Sequence, residues 1–181
     1  YEHIPKQSII LSETANVVDI PMPSELVNND LVYEKNLSPI SFDFYEVDTN
    51  EDLEQELNKN IKDAAYIFVP SRRIFWNHTC FDKNLNDTIK IPVSKNFGEY
   101  ESLLTGYEKT SCEKLQKSYP LLNAYYHDLF SGKLGYKLIA EFHSFPRIEF
   151  FGRTIIEFPD EAAEETWTVF DHPVIRIYWK K

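Results

Sequence analysis

Ser71, Arg72 and Arg73 follow directly on the apolar run AAYIFVP (64–70), and two adjacent arginines at a strand end are a natural grip for an anion. A guanidinium is planar, permanently charged and presents paired N–H donors that match the edge of a phosphate or carboxylate. Ligands of open α/β sheets gather at the carboxyl ends of strands, where this pair falls. Arg72 and Arg73 are therefore the ligand-binding candidates. The competing reading is that they pair with some of the 29 Asp and Glu residues and merely hold the following loop. Exposed ion pairs of that kind contribute only ~0–1 kcal/mol.

A second group lies near the end of the chain, where DEAAEETWTVFDHP brings Glu161, Glu164, Glu165, Asp171 and His172 close in sequence. One imidazole without a second His or Cys at ligand spacing is no zinc signature. Asp before His-Pro is turn chemistry, because the Asp side chain accepts a downstream backbone N–H. His3, His78, His127 and His143 are scattered, and no serine with a base, P-loop, GxGxxG or HExxH occurs. No catalytic residue, metal site or cofactor is expected in this domain. Aromatic residues fall mostly at core positions of strands and helices, which favours packing over sugar stacking.

The elements that must position these residues sit in a chain of 181 residues, the size of one domain (1–181), needing no metal or disulfide staple. A formal charge of −10 repels phosphate backbones, so nucleic acid is excluded as a partner. No apolar run approaches the roughly 18 residues that span a bilayer. Tyr1 and the residues after it resemble neither an initiator nor a signal peptide, so the domain reads as excised from a larger chain. Cys80 and Cys112 are too few for a zinc ribbon, and they can pair only where the surroundings are oxidising.

SIILSE (8–13) has strand length. ISFDFYEV (40–47) alternates, and Leu53, Leu57 and Ile61 repeat at helical spacing behind a capping box of Thr49 and Asp52. AAYIFVP then completes a βαβ unit. Residues 71–107 show no sustained period and read as a surface excursion carrying two sequons, Asn77-His78-Thr79 and Asn86-Asp87-Thr88. A capping box of Thr110 and Glu113 opens a helical hairpin or kinked helix, broken at Pro120 and closed by Gly132. YKLIAEFHSF places Tyr136, Leu138, Ala140 and Phe142 on one strand face, and TIIEF and PVIRIYW add two strands. The expected class is α/β, a single-domain sheet with a parallel βαβ start and an antiparallel C-terminal hairpin turning at Asp171-His172-Pro173, with helices packed on the sheet.

The ordered stretches IPKQSIILSE, FYEVDTNEDLEQEL, AAYIFVPSRRIF, YPLLNAYYHDLFSGKLGYKLIAEFHSFP and EETWTVFDHPVIRIYWKK carry a resemblance from Ile4 to Lys181. They resemble the soluble C-terminal domain of bacterial polytopic membrane glycosyltransferases, similar to the dolichyl-phosphate-mannose protein mannosyltransferase and aminoarabinose transferase type. YY-x-x-LFSGKLGYKL and EET-x-TVFDHP are its most specific parts. The resemblance implies a sugar moved from a polyprenyl-phosphate carrier to an acceptor outside the cytoplasm, by a carboxylate on a membrane portion lacking here. It also implies an extracytoplasmic domain tethered by transmembrane helices, whose partners are that membrane portion and the polyprenyl-phosphate sugar or its acceptor. No catalytic residue carries over, and the 181 residues alone are expected to be non-catalytic. The other function class is an independent sugar- or nucleotide-binding α/β module, or a small enzyme, using Arg72 and Arg73.

Overall fold

A computed structural model describes residues 4–14, 36–80, 112–158 and 173–181. The apolar runs form strands β1 (Ile9–Thr14), β2 (Ser38–Asp43), β3 (Tyr66–Val69), β4 (Tyr136–Phe142), β5 (Arg147–Phe150), β6 (Arg153–Glu157) and β7 (Ile175–Lys180). Five of them make one sheet in the order β2-β1-β3-β7-β4, and β5 and β6 form a separate two-stranded hairpin. β1 runs parallel to both β2 and β3, whereas β7 is antiparallel to β3 and to β4. The fold is α/β with a parallel start and an antiparallel C-terminal finish. Of the expected Asp171–Pro173 turn only Pro173 lies within the described residues; β7 itself has β3 on one edge and β4 on the other.

Helix α1 (Glu51–Asp63) connects β2 to β3 as the βαβ pattern requires, with β1 inserted between those strands. Its cap is Asn50 rather than Thr49. The Asn50 side chain accepts from the backbone N–H groups of Asp52 and Leu53, while the Thr49 hydroxyl turns back to the Glu46 carbonyl at 3.1 Å. Asn is as good a cap as Thr, and Thr49 is already used in the preceding turn. At the other end the Tyr136 hydroxyl lies 2.7 Å from the carbonyls of Ile61 and Ala64, and the Lys180 ammonium donates to those of Ile61 and Lys62. A cation and a hydroxyl there satisfy orphan carbonyls and the negative end of the helix dipole.

Residues 112–118 are helical, the chain breaks at Tyr119, and α3 (Pro120–Ser131) begins with Pro120. The kink at Pro120 is as expected; Thr110 lies outside the described residues. Asp48 caps α3 from across the fold, accepting from the N–H groups of Leu121 (2.6 Å) and Leu122 (3.2 Å). Gly132 ends the helix with φ 76°, a left-handed backbone that glycine adopts without a Cβ clash.

The main core joins Leu11 and Ile67 of the sheet, Phe44 just past β2, Leu57 of α1, Leu122, Tyr126 and Leu129 of α3, and Tyr178 of β7. A smaller cluster of Ile4, Ile10, Leu37 and Tyr66 covers the opposite face. Three expectations change. Residues 71–80 are not a surface excursion: α2 (Arg73–His78) buries Ile74 and Phe75 in the core, a helix too short for its period to show. On β4 the register shifts between Leu138 and Ala140, so Ile139 is an extra residue and the alternation breaks. Tyr136 is buried, but Leu138 and Phe142 are exposed on this edge strand. Finally, TIIEF joins the detached hairpin rather than the main sheet.

Cys80 and Cys112 are joined by a disulfide with Cα atoms 4.9 Å apart and 32 residues of separation. Closing a loop of that length removes entropy from the unfolded chain equivalent to ~3.7 kcal/mol at 25 °C.

Leu57 sits at the centre of the α1 stripe, buried against this core. Leu57→Ala is expected to lower stability by ~2–5 kcal/mol in denaturant unfolding. A loss below about half a kcal/mol, the size of an ordinary surface change, would mean the stripe does not carry the packing described.

Candidate functional site

The carboxyl ends of β1 and β3 lie side by side, and two buried ionisable residues of the sheet, Glu13 and Arg176, fall near them. The register Ser12 to Phe68 brings Glu13 beside Val69, and Val69 is paired with Arg176 of β7. Glu13, Val69 and Arg176 therefore form one row on the helix-covered face. The two charged residues are separated by two strand spacings, roughly 10 Å. Arg176 is 1% exposed and donates through Nε to Glu141 at 3.1 Å, its cross-strand neighbour on β4, with its guanidinium 5.7 Å from the Phe75 ring. A buried guanidinium demands such a carboxylate, since the unpaired ion would cost several kcal/mol.

Glu13 has no equivalent partner. It is buried, and among the described residues neither carboxyl oxygen completes a hydrogen bond; the same holds for the hydroxyls of Tyr125 and Tyr126 on α3. Burial pushes the Glu13 carboxyl well above the ordinary carboxylate range, and the neighbouring Tyr126 phenol offsets this only in part. Both phenols are likewise raised, first by burial and then by the nearby Glu13. Burial disfavours every charged form here.

Ser71 follows β3, and its hydroxyl accepts from the Arg73 N–H at 3.3 Å, which starts α2. Arg72 is 5% exposed, with its guanidinium 4.8 Å from the centre of the Trp76 ring, a cation–π arrangement. Arg73 is half-buried, and its carbonyl accepts from the Asn77 side chain. The two arginines thus differ: Arg72 is held against an aromatic face, and Arg73 reaches nearer to solvent.

His78 has a structural place. Its Nδ1 is 2.7 Å from the Ile74 carbonyl, which can only accept, so that nitrogen carries the hydrogen. Tyr45 and Tyr119 flank the ring at 5.5 and 4.4 Å. His127 bonds the Cys80 carbonyl through Nε2, and His143 stacks on Phe145. The sequon at Asn77 straddles the end of α2, with Thr79 buried at the C-cap. Among the described residues no three metal-ligating side chains converge. His3, Asn86, Glu161, Glu164, Glu165, Asp171 and His172 lie outside the described residues.

No family model, curated protein or solved structure matches this chain.

Sequence reasoning located Arg72 and Arg73 at the strand end but passed over Glu13 and Arg176. The signal for both was present. Glu13 stands two residues after Leu11, and Arg176 two before Tyr178, so strand alternation puts each charge on the core face.

A folded-state proton affinity raised above that of the unfolded chain fixes the sign of a pH effect. Below the unfolded carboxyl range Glu13 is neutral in both states and exacts no penalty. As pH rises above that range only the unfolded chain releases the proton, so stability falls by about 1.4 kcal/mol per pH unit until the folded carboxyl also ionises. Glu13→Gln removes this dependence. The stability of the variant relative to the native chain is expected to rise between pH 5 and pH 7, measured by denaturant unfolding at each pH. A constant difference would show that Glu13 is ionised in the folded protein.

Proposed function

We propose that this chain is an extracytoplasmic accessory domain of a membrane glycosyltransferase, which moves a sugar from a polyprenyl-phosphate carrier to an acceptor. In this reading Arg73 contacts the phosphate end of the carrier or a like anion on the acceptor, and Arg72, held over Trp76, sets the turn that presents it. The partner of the domain is the membrane-embedded part of the same polypeptide. The observation that carries the reading is the Ser71–Arg73 turn at the carboxyl ends of two adjacent parallel strands, where open α/β sheets hold their ligands.

Two further features support it. The Cys80–Cys112 disulfide suits the oxidising side of a membrane. The resemblance of the ordered sequence stretches supplies the reaction class. The second reading, an independent sugar- or nucleotide-binding module, draws on the partly exposed indole of Trp76 beside Arg72, a surface on which a sugar ring or base could stack.

Arg73→Gln in the full-length parent is the discriminating variant, because its half-exposed side chain carries little of the core. A charge-assisted bidentate contact contributes ~1.5–3 kcal/mol, so transferase activity is expected to fall by about tenfold or more with Tm almost unchanged. The double change Arg72→Gln with Arg73→Gln should fall at least as far. Normal activity in a folded Arg73→Gln enzyme, or a fall in Tm that accounts for all of the loss, would make the arginines structural.

A further inference from the structure

The β5–β6 hairpin carries apolar side chains where a folded chain normally keeps polar ones. Its turn residue Phe151 is 91% exposed and its neighbour Phe150 64%. Phe151 has φ 48° and Gly152 φ 71°, a two-residue turn joining the Phe150–Arg153 pair. Asn or Gly is the usual choice for the first of these positions, since a bulky side chain is strained in left-handed backbone. Local backbone preference does not account for a phenylalanine there.

The register sorts the ribbon into two faces. Ile148 pairs with Ile156, and Phe150 with Arg153, so one face carries Ile148, Phe150 and Ile156 with a single guanidinium near the tip. The opposite face holds Arg147, Glu149, Thr154 and Glu157, with Ile155 the extra residue where the register shifts; Arg147 meets Glu149 at 2.7 Å, and Glu157 lies 3.7 Å from Nδ1 of His143. The hairpin is thus amphipathic and close to neutral in a chain of charge −10. It stands outside the five-stranded sheet. Two strands alone are marginal in water, and an exposed apolar face of this kind marks a contact surface.

We propose that the β5–β6 tip is a membrane-docking element that enters the interface of a phospholipid bilayer shallowly, with Phe150 and Phe151 at the level of the acyl boundary and the Arg153 guanidinium on lipid phosphate. The position of Arg153 selects this occupant. A second copy packing face to face would bury that guanidinium against isoleucine and phenylalanine, at the desolvation cost of an unpaired charge. A bilayer interface offers apolar depth for the rings and an anion at the height of the arginine, which its flexible stem can reach. The exposure of the tip holds whether or not residues 71–73 bind an anion.

The test is co-sedimentation of the 181-residue chain with vesicles of phosphatidylcholine, alone or mixed with phosphatidylglycerol. Phe150→Ser combined with Phe151→Asn keeps the turn, because Asn accepts left-handed backbone. The native chain is expected to pellet with both vesicle types, the double variant to lose at least tenfold in partitioning, and Arg153→Gln to lose a smaller factor, all with the native Tm. Failure of the native chain to pellet, or equal pelleting of the double variant, overturns the proposal. So does a concentration-dependent dimer in sedimentation velocity that the double variant abolishes while vesicles bind neither protein, which would assign the tip to a second copy. Should the double variant melt early, Arg153→Gln together with Phe150→Ser alone decides the matter by the same readout.

Discussion

The last strand of the chain fills an interior slot of the sheet, and much of the remaining architecture hangs on it. Among the described residues β7 alone joins the parallel half, β2-β1-β3, to the edge strand β4 that leads into the hairpin. Its residues also reach out of the ladder. Tyr178 enters the main core, Lys180 satisfies the carbonyls at the end of α1, and Arg176 neutralises Glu141 on β4. Pairing β7 with β3 joins residues more than a hundred positions apart, so its loop-closure entropy must be met before the sheet can complete. The parallel half alone leaves one side of β3 unpaired.

Along the helix-covered face the chemistry changes from one end of the strands to the other. The row of Leu11, Ile67 and Tyr178 is apolar apart from one phenol, whereas the next row toward the carboxyl ends contains Glu13 and Arg176. Arg176 is compensated across the ladder, whereas burial raises the proton affinity of Glu13. These are the two ways in which a low-dielectric interior tolerates an ionisable group, by pairing it or by moving its proton affinity. The turn bearing Arg72 and Arg73 leaves from that same end, so the polar row and the candidate anion contact share one edge of the sheet.

Much of the architecture was legible in the sequence because it rests on local periodicity. Leu53, Leu57 and Ile61 specify the stripe of α1, AAYIFVP reads as a buried strand, and Pro120 with Gly132 brackets α3. What escaped depends on distant partners. Asp48 caps a helix 73 residues away, and Tyr136 caps one 75 residues back; neither leaves a local pattern. The bulge at Ile139 and the detachment of β6 from the main sheet are set by which neighbours are available, which alternation along one strand does not encode. At the candidate site the strand-end arginines could be found from the strand they follow. Strand alternation could have put Glu13 and Arg176 each on the core face, but bringing them into one row needed the register of three strands.

The proposed holding of an anion at the Ser71–Arg73 turn is tested most directly by an NMR titration of the 181-residue chain with a short-chain, water-soluble prenyl phosphate. Saturable shifts confined to residues near 71–76, weakened at least tenfold by Arg73→Gln and by added salt, are the predicted result. Saturable shifts centred elsewhere, or an Arg73→Gln chain that binds as tightly as the native one, would contradict it.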